Sequence, residues 1–309
     1  MLNILFIIVG IAAVLWGADR LTDGSVAVAQ RMNIPQIVIG LTVVAMGTSM
    51  PEFFVSLTSA LKGTADLAVG NIVGSNIFNT LVIVGVTAMV APMNISRHTV
   101  ERDLPFSMLA SAMLLIFGLD NMVGRWESAI LFMAFLLFMA YTLRTAAKGT
   151  NEAEQAPTKA MNPWMAALWI VIGLVCLVVG SNIFVSGATE LARMWGVSEA
   201  VIGLTIVAGG TSLPELATSI VAAKKGQSAI AIGNVIGSNV FNVFMILGAT
   251  GLIKPMQTQG ITLVDLSLLL ISAVLLWLFS FTRYKVERWE GGVLVLVFAA
   301  YLSWLLYNI

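Results

Sequence analysis

Residues 37–61 read IVIGLTVVAMGTSMPEFFVSLTSAL, and residues 201–223 read VIGLTIVAGGTSLPELATSIVAA. Sliding the chain by 163 residues lays 36–85 on 199–248 without a gap, and 26 of the 50 positions are identical. Shared apolar composition would give a handful of matches, scattered among the apolar positions. Here GLT, GTS-x-PE, KG, GN and GSN-x-FN all recur in register. One unit has been duplicated, and a repeat of this kind constrains the architecture before any single element does.

The surroundings of both copies are apolar. Hydrophobic residues make up 59% of the 309 and charged residues 10%, with a mean hydropathy of +0.95. A soluble domain carries about a quarter charged residues to cover its surface, so most of this surface must face lipid. A bilayer core of ~30 Å needs roughly 20 apolar residues as helix. Ten such segments are expected, near 1–22, 35–60, 66–91, 103–121 and 126–145, then 163–190, 199–223, 228–253, 262–281 and 290–308. The first has no lysine or arginine before it and no A-x-A-like site after it, which reads as a retained span rather than a cleaved signal peptide. The predicted class is an all-α polytopic membrane protein. Its organisation is a first five-helix repeat over 1–147, a short linker over 148–162 and a second repeat over 163–309.

An even number of spans puts both termini on one side. Twelve of the sixteen basic residues fall in loops on the opposite side, and only Lys62, Arg125, Arg193 and Lys254 fall on the terminal side. Positive charge accumulates in cytoplasmic loops, so the termini are placed outside and the linker in the cytoplasm, where it is too short to be a regulatory domain. Five spans per copy means the second copy enters with opposite orientation. Inverted repeats are an architecture of secondary transporters, with the substrate site between the repeats near the midplane.

The candidate chemistry lies in the duplicated stretch. Glu52 and Glu215 stand near the middle of the second and seventh spans, where a carboxylate costs on the order of 3 kcal/mol. Two at equivalent depth are hard to explain as packing, although a protonated glutamate joining helices is the alternative. Pro51 and Pro214 precede them, removing a helical N–H and freeing carbonyls around Gly47 and Gly210. Such carbonyls are tolerated in a membrane where protein or a hydrated cavity satisfies them. Thr48, Ser49, Thr211 and Ser212 stand four and three residues before the acids, on the same helical face if the kink leaves the register intact. In the third and eighth spans, Asn71, Ser75 and Asn79, and likewise Asn234, Ser238 and Asn242, recur every four residues. Gly70, Gly74, Gly233 and Gly237 between them permit close helix approach. For Asn71, Asn76, Asn234 and Asn239 a role in joining helices is equally open. Calcium takes 6–8 oxygens, and two carboxylates with carbonyl, hydroxyl and amide oxygens can supply them. A charge of −2 neutralises one calcium or two sodium ions, but not both together, which is a physical basis for exchange.

GTSMPE (47–52) with GSNIFN (74–79), and GTSLPE (210–215) with GSNVFN (237–242), resemble the two α-repeats of the calcium/cation antiporter superfamily, in its prokaryotic sodium/calcium exchanger branch. The resemblance covers nearly the whole chain. It implies an antiporter in the cell membrane of a prokaryote that exports calcium against inward sodium, usually three for one. Glu52 and Glu215 would be the shared carboxylates, Thr48 and Thr211 would add main-chain and hydroxyl oxygens, and Ala45 and Ala208 would add carbonyls. Ser49, Ser212, Ser75 and Ser238 would complete outer sodium sites, with Asn79 and Asn242 lining the centre. Spans 1 and 6 would slide against the remaining helices. Some relatives, including potassium-dependent exchangers, carry Asp where this chain has Asn242, which weighs against potassium co-transport.

The nearest rival is proton/calcium antiport with Glu52 or Glu215 titrating. Its proton-coupled relatives typically carry GN-x-x-E motifs, whereas here the acid follows proline. An intramembrane protease would need a Ser/His pair, an HExxH zinc site or paired mid-span aspartates, and the only histidine, His98, lies in a polar loop. A passive channel fits poorly with paired glutamates that bind ions tightly. Cys176 is the only cysteine, so no intrachain disulfide or cysteine zinc site forms. Zero net charge without a basic stripe argues against nucleic acid. No permanently bound cofactor and no obligatory protein partner is expected; the partners are the lipid bilayer and the transported sodium and calcium.

Overall fold

The structure is a computed structural model that describes residues 2–147, 161–196, 206, 208–258 and 260–307. The chain opens with α1 (Leu2–Met32), the pair α2 (Gln36–Thr48) and α3 (Met50–Lys62), and α4 (Leu67–Val90). Next come α5 (Leu104–Phe117), α6 (Arg125–Ala147) and α7 (Pro163–Met194). Then follow α8 (Ala208–Thr211), α9 (Leu213–Lys224), α10 (Ser228–Ile253), α11 (Leu263–Phe281) and α12 (Arg288–Tyr307). Seven of these helices are each long and apolar enough to cross a bilayer, and the bent α2–α3 pair makes an eighth. The chain is a polytopic helical membrane protein. α5 continues from a π-helical turn over Thr99–Asp103, which brings its charged residues Glu101, Arg102 and Asp103 into one helical run with it, whereas α9, with 12 residues, falls short of a span by length. The linker expected over 148–162 and the start of the segment expected over 199–223 lie largely outside the described residues.

Burial sorts the helices. The apolar windows of α10 and α4 are 94% and 72% buried, against 22% for α1, α6 and α7 and 17% for α12. The two GSN-x-FN helices therefore form the centre, and the poorly covered helices turn apolar residues outward, as lipid allows. Trp126, Trp164 and Trp289 project from the first turns of α6, α7 and α12, where amphipathic rings suit the headgroup layer.

α1 and α7 pack antiparallel along a glycine seam. A Cβ on Gly17 would lie 2.8 Å from the Gly173 carbonyl oxygen, and one on Gly173 would lie 2.8 Å from that of Gly17. Small residues let the backbones touch where lipid supplies no hydrophobic drive. The helices are 31 and 32 residues long, so α1 runs well past its expected end near residue 22. The charges that end its apolar run are paired: Lys225 lies 2.6 Å from both Asp19 and Asp23, and Arg20 binds Asp19 and stacks over Trp169. Two acids and two bases cancel, so the helix continues.

Among the described residues, four two-residue strands depart from the all-α expectation. β1 (Met93–Asn94) pairs with β4 (Lys285–Val286), and β2 (Met122–Val123) pairs with β3 (Met256–Gln257). The registers Met93↔Val286 and Met256↔Val123 are the same pair moved by 163 residues in opposite senses. The sequence repeat is thus also a repeat of tertiary pairing.

Candidate cation site

The break between α2 and α3 creates the site. Ser49 leaves helical geometry at φ −84°, ψ 10°, and Ser212 does the same at φ −90°, ψ 7°. Pro51 and Pro214 then sit in the first turn of the next helix, where a missing N–H breaks no helical bond. The prolines therefore start helices rather than interrupt them, and the bend between α2 and α3 is 47°. Glu52 and Glu215 are the acids in the first turns of α3 and α9. The positive ends of those helix dipoles favour a carboxylate. Both glutamates are 1% exposed.

The bend changes which hydroxyl serves which acid. Ser49 Oγ donates to Glu215 Oε1 at 2.9 Å, and Ser212 Oγ donates to Glu52 Oε1 at 3.1 Å. The expected alignment of each serine with its own glutamate is therefore not found; each crosses to the other copy. Ser75 reaches Glu52 Oε1 at 3.4 Å. Thr48 donates to the Ala45 carbonyl at 3.3 Å and to Asn234 Oδ1 at 3.1 Å, and the Ala45 carbonyl also accepts from Ser49 N–H at 3.0 Å. Ser238 is buried, and its hydroxyl has no partner among the described residues. Thr211 is half-buried at the end of α8. Ala208 begins α8, and its side chain lies outside the described residues.

Asn71 and Asn234 have a holding role. Each donates to the main-chain carbonyl of its glutamate, at 3.3 and 3.2 Å, and to Ser56 or Ser219 at 3.0 Å. Ser56 and Ser219 were not singled out in the sequence, although both are identical positions of the repeat. The carbonyl of Gly210, four residues before Pro214, accepts the hydroxyl of Ser181 on α7. That partner lies 29 residues away in no motif.

At the centre of the site four buried carboxylate and amide oxygens have no partner among the described residues: Glu52 Oε2, Glu215 Oε2, Asn79 Oδ1 and Asn242 Oδ1. π-helical turns carry both asparagines, over Asn79–Ile83 and Phe241–Leu247, and such turns frequently mark functional positions. Unpartnered carboxylate and amide oxygens are hard donors suited to sodium and calcium. Among the described residues no three His, Cys, Asp or Glu side chains come together. A cation held here would draw its remaining oxygens from hydroxyls, amides and main chain.

A Cβ on Gly237 would meet Ala45 Cβ and the Leu41 carbonyl at 2.6 Å. α10 is clamped against α2 there; the counterparts of Leu41 and Ala45 that would face Gly74 lie outside the described residues or have side chains that do.

A family profile described as sodium/calcium exchanger protein matches residues 2–144 and 165–307. CaxA, a proposed antiporter of Alkalimonas amylolytica, is 37% identical over 307 residues, covering 96% of each chain. The sodium/calcium exchanger MaX1 of Methanosarcina acetivorans is 29% identical over 345 residues, covering 99% of each. Among solved structures, the sodium-calcium exchanger NCX_Mj soaked with sodium and strontium superposes with a TM-score of 0.86 at 28% identity, covering 98% of each chain. These relatives are transporters rather than enzymes, and the chain belongs to the sodium/calcium exchanger protein family, in its prokaryotic branch.

Proposed function

We propose that this protein exchanges sodium for calcium by alternating access, and that the sodium gradient drives calcium out of the cell. The observation that carries the reading is the buried pair Glu52 and Glu215, each with one carboxylate oxygen engaged by the other copy's serine and one without a partner among the described residues. Together they give a −2 centre that one calcium or two sodium ions can neutralise in turn. Thr48, Thr211, Ala45, Ala208, Ser49, Ser212, Ser75, Ser238, Asn79 and Asn242 complete the proposed ligand set, with sodium and calcium as cargo. The sodium/calcium names of MaX1 and NCX_Mj favour sodium over protons as the coupling ion.

The proposed architecture is ten spans in two inverted five-helix repeats, 1–147 and 163–309, joined by a cytoplasmic linker over 148–162 with both termini outside. The two ladders support inversion. β1 precedes α5 and β2 follows it, so a membrane-crossing α5 places them on opposite faces. β2 pairs with β3, which puts β3 on the face opposite its own counterpart β1. The placement of Lys and Arg points the same way.

The test is calcium-45 uptake into proteoliposomes preloaded with sodium, with and without an outward sodium gradient, for wild type and Glu52→Gln. Gradient-dependent uptake in the wild type and none in the variant is expected. Uptake driven only by a proton gradient would replace sodium as the coupling ion. Equal, gradient-independent uptake by both proteins would sink the glutamate-centred mechanism.

A further inference from the structure

Between α4 and α10, four buried asparagines form a lattice that the ligand set does not explain. Asn76 Nδ2 donates to the main-chain carbonyl of Asn239 at 3.0 Å, and Asn242 Nδ2 donates to Asn76 Oδ1 at 2.9 Å. Asn79 Nδ2 donates to Asn239 Oδ1 at 3.2 Å, and Asn239 Nδ2 donates to Thr80 Oγ1 at 2.8 Å. All five residues are at most 4% exposed.

We infer that Asn76 and Asn239 are positioning residues that fix the amide direction of Asn242 and Asn79, so that each offers the transported cation only its oxygen. This rests on the exchange reading of the site. A main-chain carbonyl can only accept, so the end of Asn76 facing Asn239 must be its NH2. Its Oδ1 then faces residue 242, and Asn242 must turn its own NH2 toward it. What remains of Asn242 is Oδ1, buried and without a partner among the described residues. Flipping Asn242 would set two buried amide oxygens 2.9 Å apart, an arrangement that forfeits a hydrogen bond and leaves buried groups unsatisfied.

The other arm has the same form with a weaker anchor. Asn239 is held by Thr80, whose hydroxyl can either donate or accept, and the counterpart of Thr80 is Val243. Asn242 is thus tied to main chain through a single side chain, whereas the direction of Asn79 depends on a rotatable hydroxyl. Orientation matters because an NH2 turned toward a cation would repel it, while Oδ1 ligates it.

The experiment compares Asn76→Ala, Asn242→Ala and the double variant in sodium-driven calcium-45 uptake over a range of calcium concentrations, with thermal unfolding followed in parallel. Asn76→Ala is expected to raise the apparent KM for calcium about tenfold, equivalent to about 1.4 kcal/mol. Adding it to Asn242→Ala should raise KM no further, because it acts only through that amide. A lowered melting temperature and maximal rate with unmoved KM would make Asn76 a packing residue and overturn the inference, as would the same KM factor in both backgrounds. Should Asn76→Ala not fold, Thr80→Val, which installs the residue the other copy already carries, tests the second arm. It should raise KM in the wild type and not in Asn79→Ala, and an unchanged KM in the wild type would overturn the inference. Wild-type vesicles that take up no calcium under a sodium gradient would instead sink the exchange reading, and the inference with it.

Discussion

Ser49 Oγ lies 2.9 Å from Glu215 Oε1, so a hydroxyl from the first copy of the repeat holds the carboxylate of the second. Ser212 holds Glu52 in return at 3.1 Å. A hydrogen bond to a charged group is worth about 1.5–3 kcal/mol. Ser49→Ala and Ser212→Ala are each expected to weaken calcium binding by roughly tenfold or more, read as the apparent KM of sodium-driven uptake. Because the exchange is reciprocal, the two losses should be similar. A large loss at one serine and none at the other would mean that only one carboxylate needs its partner fixed.

The carbonyl of Gly210 lies at the break before α9, four residues ahead of Pro214, and Ser181 on α7 donates to it. Removing that hydroxyl leaves a buried acceptor unpaired, at about 1–3 kcal/mol. Ser181→Ala should lower the melting temperature of the detergent-solubilised protein by a few degrees. Ser186→Ala makes the control, since Ser186 is exposed on the same helix and bonds only within it. Equal melting temperatures for the two variants would show that the Gly210 carbonyl finds another partner.

The sequence carried the repeat and both acids because a mid-span carboxylate is costly enough to stand out against apolar neighbours. It did not carry which serine meets which acid. That depends on a 47° bend, and motif spacing assumes a straight helix. Nor did it reveal the length of α1. Asp19, Arg20 and Asp23 read as a span end, and only their pairing with Lys225, 202 residues from Asp23, lets the helix run on. The glycine seam was readable but outside the aligned window. Gly10, Gly17 and Gly24 fall on Gly173, Gly180 and Gly187 at the same 163-residue shift.

Gly237 should not accept a side chain. At Gly237 an added methyl meets Ala45 Cβ and the Leu41 carbonyl at 2.6 Å. Main chain cannot step aside cheaply, so Gly237→Ala is expected to cost about 1–3 kcal/mol. Thermal unfolding should therefore show Gly237→Ala melting below the wild type. An unchanged melting temperature would mean that α2 gives way at Leu41 and Ala45.

The charge moved per cycle gives the last prediction. If three sodium ions leave a vesicle as one calcium enters, one net positive charge leaves with each turn. An interior-positive potential favours that movement and an interior-negative one opposes it, by about 2.3 kcal/mol per 100 mV. A potassium diffusion potential of roughly 60 mV, set with valinomycin, is then worth about 1.4 kcal/mol, which is about tenfold in an equilibrium ratio. Steady-state calcium accumulation in sodium-loaded proteoliposomes should rise by about that factor when the interior is made positive and fall by it when negative. No response would fit two sodium ions neutralising Glu52 and Glu215 per calcium and no third ion, and a response of opposite sign would mean that fewer positive charges leave than enter.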